Sequence, residues 1–403
     1  MPDLGARLRT FALSVLALVA LTCALHREVL VGGAVYHMDD AADNYYPARV
    51  AFKRAVQQGS LPTWEPGSLC GWPLIADPYY GYFYPLNFVF YLGKRAGEPT
   101  TDPSGLSGGV PSGLGYSAAL HMLLGGIGML LLLRRRVSPA AALYGAAAYA
   151  LSSFLVVRIR HIIFIQLAAW LPFLLWSIDD YVRTRQRGAL CRCGVFTALV
   201  LIVGAHSLLH FAALLLAVYA VARVLGAAWA EPPGTRLRFL LRTGGALGLA
   251  AGLGALVAMI GLLPTLMAMK SSARALGTDY QFASSYAWPS WRYAQSLFMP
   301  DVFGSGEWRG APWFARWNHW EMAGYYQGAA ALLLALPGAL TALRRRDGGD
   351  RARLALERPA LMLLCVIGVL AALGDAGPVH PLLYRYFPLY AALRCPARAL
   401  FLL

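Results

Sequence analysis

Charge is what this 403-residue chain has least of: Asp, Glu, Lys and Arg make up 14% of it, against 58% hydrophobic residues. That balance excludes a solvated globular domain, in which charged residues are about a quarter of the total. The signatures of soluble nucleotide or zinc chemistry are also missing. There is no glycine loop ending in Lys-Ser/Thr, no dinucleotide fingerprint and no His-Glu-x-x-His pair. Of six cysteines, none has metal-site spacing. Cys23 and Cys365 lie in apolar runs, Cys191 and Cys193 beside a basic stretch, and Cys70 and Cys395 in polar segments where a disulfide between them is open.

What the chain does have is a series of apolar runs near twenty residues, the length that crosses a bilayer as a helix. Nine spans are expected, at 10–25, 114–133, 139–157, 162–178, 193–207, 208–225, 243–266, 322–343 and 359–373, with a tenth beginning near Pro396. The fold class is therefore all-α and polytopic, a single transmembrane unit over residues 1–403 that reads as cut short at its C-terminal end. Val195–Leu225 needs arbitration. As one helix it would run about 46 Å, well beyond the ~30 Å hydrocarbon core. Gly204-Ala-His-Ser207 offers a place to turn, so two short crossings are expected.

Orientation follows from the arginine clusters: Arg7 and Arg9; Arg134–Arg136; Arg183, Arg185, Arg187 and Arg192; Arg236, Arg238 and Arg242; and Arg344–Arg346. All fall on one side if the N-terminus is cytoplasmic, as the excess of cations in cytoplasmic loops requires. The formal net charge of +15 is then topological and does not indicate nucleic acid. The first apolar run reads as a retained anchor, since no small-x-small cleavage site follows Leu25.

No Asp or Glu falls within the expected spans, which argues against an ion-coupled transporter. Most acids and histidines lie at or beyond the outer surface, which carries two long loops, 26–113 and 267–321. The first carries Asp39, Asp40 and Asp43, then a short helix over Pro47–Gln58. Phe52, Ala55 and Val56 are expected on one face of that helix, with Arg49, Lys53 and Arg54 on the other, against lipid headgroups or water. Proline-rich turns follow at Leu61–Pro66 and Gly71–Pro78 as braces for a site. The aromatic run Tyr79–Tyr91 suits an interfacial belt or a platform for sugar or isoprenoid, and Gly97–Gly115 reads as a spacer. Arg158, Arg160 and His161 form a tight outer turn, fit either to anchor helix ends or to clamp phosphate in a bidentate fork. Six tryptophans between Trp288 and Trp320 fit carbohydrate stacking or interfacial anchoring.

Several motifs now align in order. Asp40-x-x-x-Asn44-x-x-Pro47, Gly59-Ser-Leu-Pro-Thr-Trp64, Gly71-Trp-Pro-Leu-Ile-Ala-Asp77 and Gly81-Tyr-Phe-Tyr-Pro85 resemble the outer-loop signature of YfhO-like bacterial membrane proteins. So do His161 ahead of Ala169-Trp-Leu-Pro172, Pro300-Asp-Val-Phe-Gly304, Glu321-x-x-x-Tyr325 and Arg394-Cys-Pro-Ala-Arg398. The resemblance implies a GT-C-like fold, a glycosyltransferase that uses a polyprenyl-phosphate sugar, and work at the outer face of the bacterial inner membrane on an envelope acceptor. It aligns Asp40 with the acidic catalytic residue of the first outer loop and adds Glu321 to the substrate-binding set. Asn44 stands where Gln is common and Glu65 where Asn is common.

Transfer from a lipid phosphate needs a base for the acceptor and positive charge for the departing phosphate. Asp40 is the candidate base, with Asp39 and Asp43 beside it; Arg158, Arg160 and His161, or Arg394 and Arg398, are candidates for the phosphate. A divalent cation near Asp39 and Asp40 is the other way to carry that charge, although no compact ligand cluster demands one. Two readings from other classes stand beside this one: a transporter or flippase of lipid-linked glycans, and a non-catalytic scaffold for envelope-polymer export.

Overall fold

The computed structural model describes residues 4–38, 40–61, 63–66, 70–77, 81–91, 110–272, 278–300, 302–303, 320–335, 356–387 and 390–403. Among them the architecture is helical, with one isolated antiparallel bridge between Glu65 and Trp72 in place of any sheet. The main helices are α1 (Leu4–Leu25), α2 (Tyr46–Gln57), α3 (Pro85–Tyr91), α4 (Val110–Leu133), α5 (Pro139–Ala150) and α6 (Ile162–Thr184). They continue as α7 (Arg187–Ile202), α8 (His206–Trp229), α9 (Arg236–Lys270), α10 (Glu357–Ala372) and α11 (Val379–Tyr386).

Six helical stretches are long and apolar enough to cross a membrane among the described residues, beginning at Leu4, Ser112, Pro139, Ile162, His206 and Pro233. Among the described residues the other three expected spans, at 193–207, 322–343 and 359–373, are not seen as full crossings. α7 and α10 are 16 residues each, about 24 Å at the helical rise and short of the hydrocarbon core. The eighth expected span is broken: Trp320–Ala323 is helical, 324–328 is not, and helix resumes over 329–335, with the remainder outside the described residues. The tenth begins as a tight 3-10 turn over Pro396–Leu402.

α6 is the axis of the bundle. Its apolar residues run round every face, the pattern of a helix enclosed by others, and 83% of its most apolar window is buried, against 17% for α1 and for α9. It packs on α4, α7 and α8 and is largely buried from Ile162 to Val182, with Arg183 and Thr184 exposed at its end. The expected break between α7 and α8 occurs at Val203–Ala205, where Gly204 adopts φ +76, a left-handed conformation that costs glycine little.

Three expectations are corrected, and the open pairing of Cys70 with Cys395 is answered. α6 does not end at residue 178: it continues to Thr184 and carries Asp179 and Asp180, both buried, so acids do lie within a membrane-length helix. A helix does not stop at a carboxylate when cations reach it, and Arg135, Arg136, Arg192 and Arg223 do. Arg49 and Lys53 do not face lipid headgroups; both are fully buried, and Arg54 alone of the three turns outward, 3.8 Å from Glu65. Positions 49, 52, 53 and 56 share one face at the three- and four-residue helical spacing, so the two cations travel inward with Phe52. Cys70 and Cys395 are both free, the first exposed and the second buried. Tyr84 does not line an aromatic platform: it is buried, its hydroxyl 2.6 Å from His121 Nε2 and 2.8 Å from Trp170 Nε1.

Candidate functional site

The site lies at the end of the bundle that bears the long loops. Asp40 begins a wide helical turn, Ala41–Tyr45, that runs directly into α2. That turn sets Asn44 one coil beyond Asp40, and the Asn44 amide donates to Asp40 Oδ1 at 2.7 Å. The second carboxylate oxygen, Oδ2, lies 2.5 Å from His161 Nε2. His161 is placed by a short chain of caps: the Ser152 hydroxyl accepts from Leu155 N–H at the start of Ser153–Val157, a 3-10 turn follows over Arg158–Arg160, and the His161 N–H closes it on the Arg158 carbonyl at 2.7 Å. The expected tight turn between α5 and α6 is therefore present, with its side chains directed inward.

Arg158 is 1% exposed and Glu321 2%. Arg158 Nη2 donates to Glu321 Oε2 at 2.7 Å and to the Tyr325 hydroxyl at 3.0 Å. Arg398 reaches the same carboxylate from the 3-10 turn at the C-terminal end: its Nη2 pairs with Oε1, and its Nη1 donates to Ser207 Oγ at 2.9 Å. One buried carboxylate thus takes two guanidiniums. The Phe164 ring is their common floor, 5.3 Å from His161, 5.2 Å from Arg158 and 5.1 Å from Arg398. Aromatic faces of this kind stabilise desolvated cations.

The electrostatics divide the acids into two kinds. Burial opposes ionisation of Glu321, but Arg158 and Arg398 outweigh it and hold the carboxyl well below its ordinary range. For Asp40 the hydrogen bond from His161 is the largest influence; with help from Asn44 it keeps the carboxyl below its usual value despite partial burial. Burial lowers His161, with the Asp40 hydrogen bond opposing, so the ring favours its neutral form. A neutral imidazole then donates one N–H to Asp40. The Asp40 side chain remains 36% exposed, whereas that of His161 is 5%. The arrangement is an ionised carboxylate, oriented from behind by imidazole and amide, with part of its surface open.

Of the residues singled out from sequence, the structure brings together Asp40, His161, Arg158, Glu321 and Arg398. Arg160 is buried in the same turn. Arg394 goes elsewhere, its guanidinium over the rings of Phe282 and Tyr286 at 5.6 and 5.5 Å. Asp43 is exposed, and Asp39 lies outside the described residues. Asn44, Tyr325 and Ser207 complete the site without having been assigned a role. Asn44 stands four residues after Asp40, a spacing that places it on the same face of the helical turn; Tyr325 lies past the end of the Trp320–Ala323 helix and was signalled only by the Glu321-x-x-x-Tyr325 motif, and Ser207 gave no such signal. Among the described residues no group of three or more His, Cys, Asp or Glu is placed to hold a metal ion.

Fold and site together define a multi-spanning helical membrane protein with a half-open carboxylate–imidazole pair braced by buried arginines at its loop-bearing end. The model of the family described as bacterial membrane protein YfhO matches residues 10–304, most of the chain, and the chain belongs to that family. The matched region includes Asp40, Arg158, Arg160 and His161, while Glu321 and Arg398 lie beyond it. No curated protein and no solved structure matches the chain.

Proposed function

We propose that this protein is a GT-C-like membrane glycosyltransferase that moves a sugar from a polyprenyl-phosphate carrier to an extracytoplasmic envelope acceptor, with Asp40 as general base. The observation that carries this reading is the contact between half-open Asp40 and buried His161. In the reaction the acceptor hydroxyl oxygen bonds to the anomeric carbon, the bond from that carbon to the phosphate oxygen breaks, and the acceptor proton passes to the Asp40 carboxylate. A positioned base of this kind contributes about 10²–10⁴-fold. His161 and Asn44 fix the carboxylate, and the guanidiniums of Arg158, Arg160 and Arg398 supply positive potential for the leaving lipid phosphate. Glu321 balances part of that charge and sets the arginines in place.

The buried acids of α6 do not favour a transporter. Asp179 and Asp180 are each held by two arginines and so lack the freedom of a proton relay. The loop-bearing end is assigned to the outside of the bacterial inner membrane because Arg134–Arg136, Arg183–Arg187, Arg192 and Arg236–Arg242 gather at the other end. Two native cysteines test the assignment: an impermeant maleimide added to intact cells should label exposed Cys70 and spare exposed Cys191, and the reverse pattern would invert it. The activity is tested by incubating the purified full-length protein with labelled polyprenyl-phosphate sugars and envelope extract. A glycosylated product supports the reading; its absence with every donor removes it.

A further inference from the structure

The arginine-rich end of the bundle holds a second buried ionic assembly that the proposed chemistry does not use. Asp179 of α6 is 2.5 Å from Arg223 of α8 and 3.0 Å from Arg136, just beyond α4. Glu357, the first residue of α10, is held by the same two arginines: Arg136 pairs with its Oε1, and Arg223 Nη1 lies 3.4 Å from its Oε2. Two acids and two guanidiniums therefore close into a neutral ring, and Arg136 also donates to the Tyr219 hydroxyl at 2.6 Å. Asp179, Arg223 and Glu357 are each at most 3% exposed. Asp180 forms a rim beside the ring, with Arg135 at 2.5 Å and Arg192 at 2.6 Å. Glu357 is the only member of the ring that α10 supplies.

α10 leads from this ring to the other end of the molecule. Its far half lies directly on Pro396–Leu402, the turn that carries Arg398. A Cβ built on Gly368 would fall 2.8 Å from the Ala399 carbonyl oxygen and 3.2 Å from Leu402 Cβ. Cys365 Sγ donates to the Leu402 carbonyl at 3.6 Å, and the Ala372 carbonyl accepts from Trp288 N–H at 2.7 Å. Where backbone meets backbone with no flexible side chain between, close packing transmits displacement. A shift of α10 then acts on Pro396–Leu402, and on Arg398 with it.

We infer that Glu357 is a positioning residue for the cluster at the loop-bearing end: the ring fixes α10, and α10 fixes the reach of Arg398 to Glu321. This concerns where Arg398 stands and holds whatever reaction the cluster performs, so its test needs no turnover. Cys395 is the reporter. It is 2% exposed, three residues before Arg398, and its N–H bonds the Ser285 carbonyl at 3.0 Å. Maleimide labelling of Cys395 in the purified full-length protein, read by mass spectrometry of its peptide, measures how often this segment opens. Glu357→Gln should raise the labelling rate about tenfold or more through local opening. Glu357→Asp, which keeps the charge on a shorter stem, should give an intermediate rate. Arg192→Gln, which perturbs the rim without touching α10, should stay within about twofold of the unsubstituted protein. Unchanged labelling in Glu357→Gln, or equal increases in Glu357→Gln and Arg192→Gln, would overturn the inference. If the Gln variant does not fold, Glu357→Asp decides alone, and protection equal to the unsubstituted protein would refute it.

Discussion

α6 joins two ionic clusters of opposite character. At one end, Asp179 and Glu357 share Arg136 and Arg223 in a ring whose charges cancel and whose acids are sealed from solvent. At the other, Glu321 is sealed in the same manner between Arg158 and Arg398, but Asp40 keeps over a third of its side chain open and faces His161 in place of an arginine. A closed ring of fixed ions defines which helices meet and where, whereas a half-open carboxylate backed by a neutral imidazole can accept a proton and release it. Perturbed carboxylates in clefts are candidates for chemistry for that reason. Arginine-saturated ones are candidates for architecture.

The largest expected effect is at Glu321. Glu321→Gln leaves two buried guanidiniums without their shared acid and should cost about 3–5 kcal/mol of stability, seen as a large fall in thermal midpoint. An unchanged midpoint would mean that the cluster is not the desolvated unit described. The pH profile comes next. Burial holds folded His161 below its ordinary value of 6.5, so beneath that pH the unfolded chain binds more protons and stability falls with acidity. Asp40 and Glu321, both held below their ordinary values of 3.8 and 4.5, extend the loss in the same direction at lower pH. His161→Gln should flatten the fall that begins below about pH 6.5 and weaken the Asp40 part of the carboxylate limb, leaving the Glu321 part in place; a gain in stability on acidification would reverse the assignment. The smallest effect belongs to the rim of the closed end. The Arg192 side chain is 36% exposed and Asp180 keeps Arg135, so Arg192→Gln should cost under about 1 kcal/mol.

Much of the site was legible because its residues sit in ordered motifs: Asp40 with Asn44, the Arg158–His161 turn, and Glu321 with Tyr325. The break at Gly204 was legible from helix length together with the turn that Gly204-Ala-His-Ser207 offers. Three features were not, each for a local reason. Asp179 and Asp180 were cut off from α6 because hydropathy falls at the first charge, while the arginines that compensate them come from distant segments. The inward turn of Arg49 and Lys53 was hidden by reading α2 as apolar against basic, when helical spacing puts the two cations on the face of Phe52. Arg394 and Arg398 looked equivalent, yet Cys395 between them adopts φ +67 and redirects the chain, sending Arg398 to Glu321 and Arg394 to Phe282 and Tyr286.

In the proposed reaction Asp40 takes the acceptor proton. Single-turnover transfer from a polyprenyl-phosphate sugar by the purified full-length protein measures that step most directly, with Asp40→Asn and Asp43→Asn compared in parallel. Asn preserves the shape of Asp40 and its contact with His161 but cannot act as the base, so turnover should fall by about 10²-fold or more while donor binding and thermal midpoint hold. Asp43, exposed on the outside of the same turn, should tolerate the change with near-normal turnover. An Asp40→Asn protein that transfers sugar at close to the unsubstituted rate would mean that Asp40 is not the base.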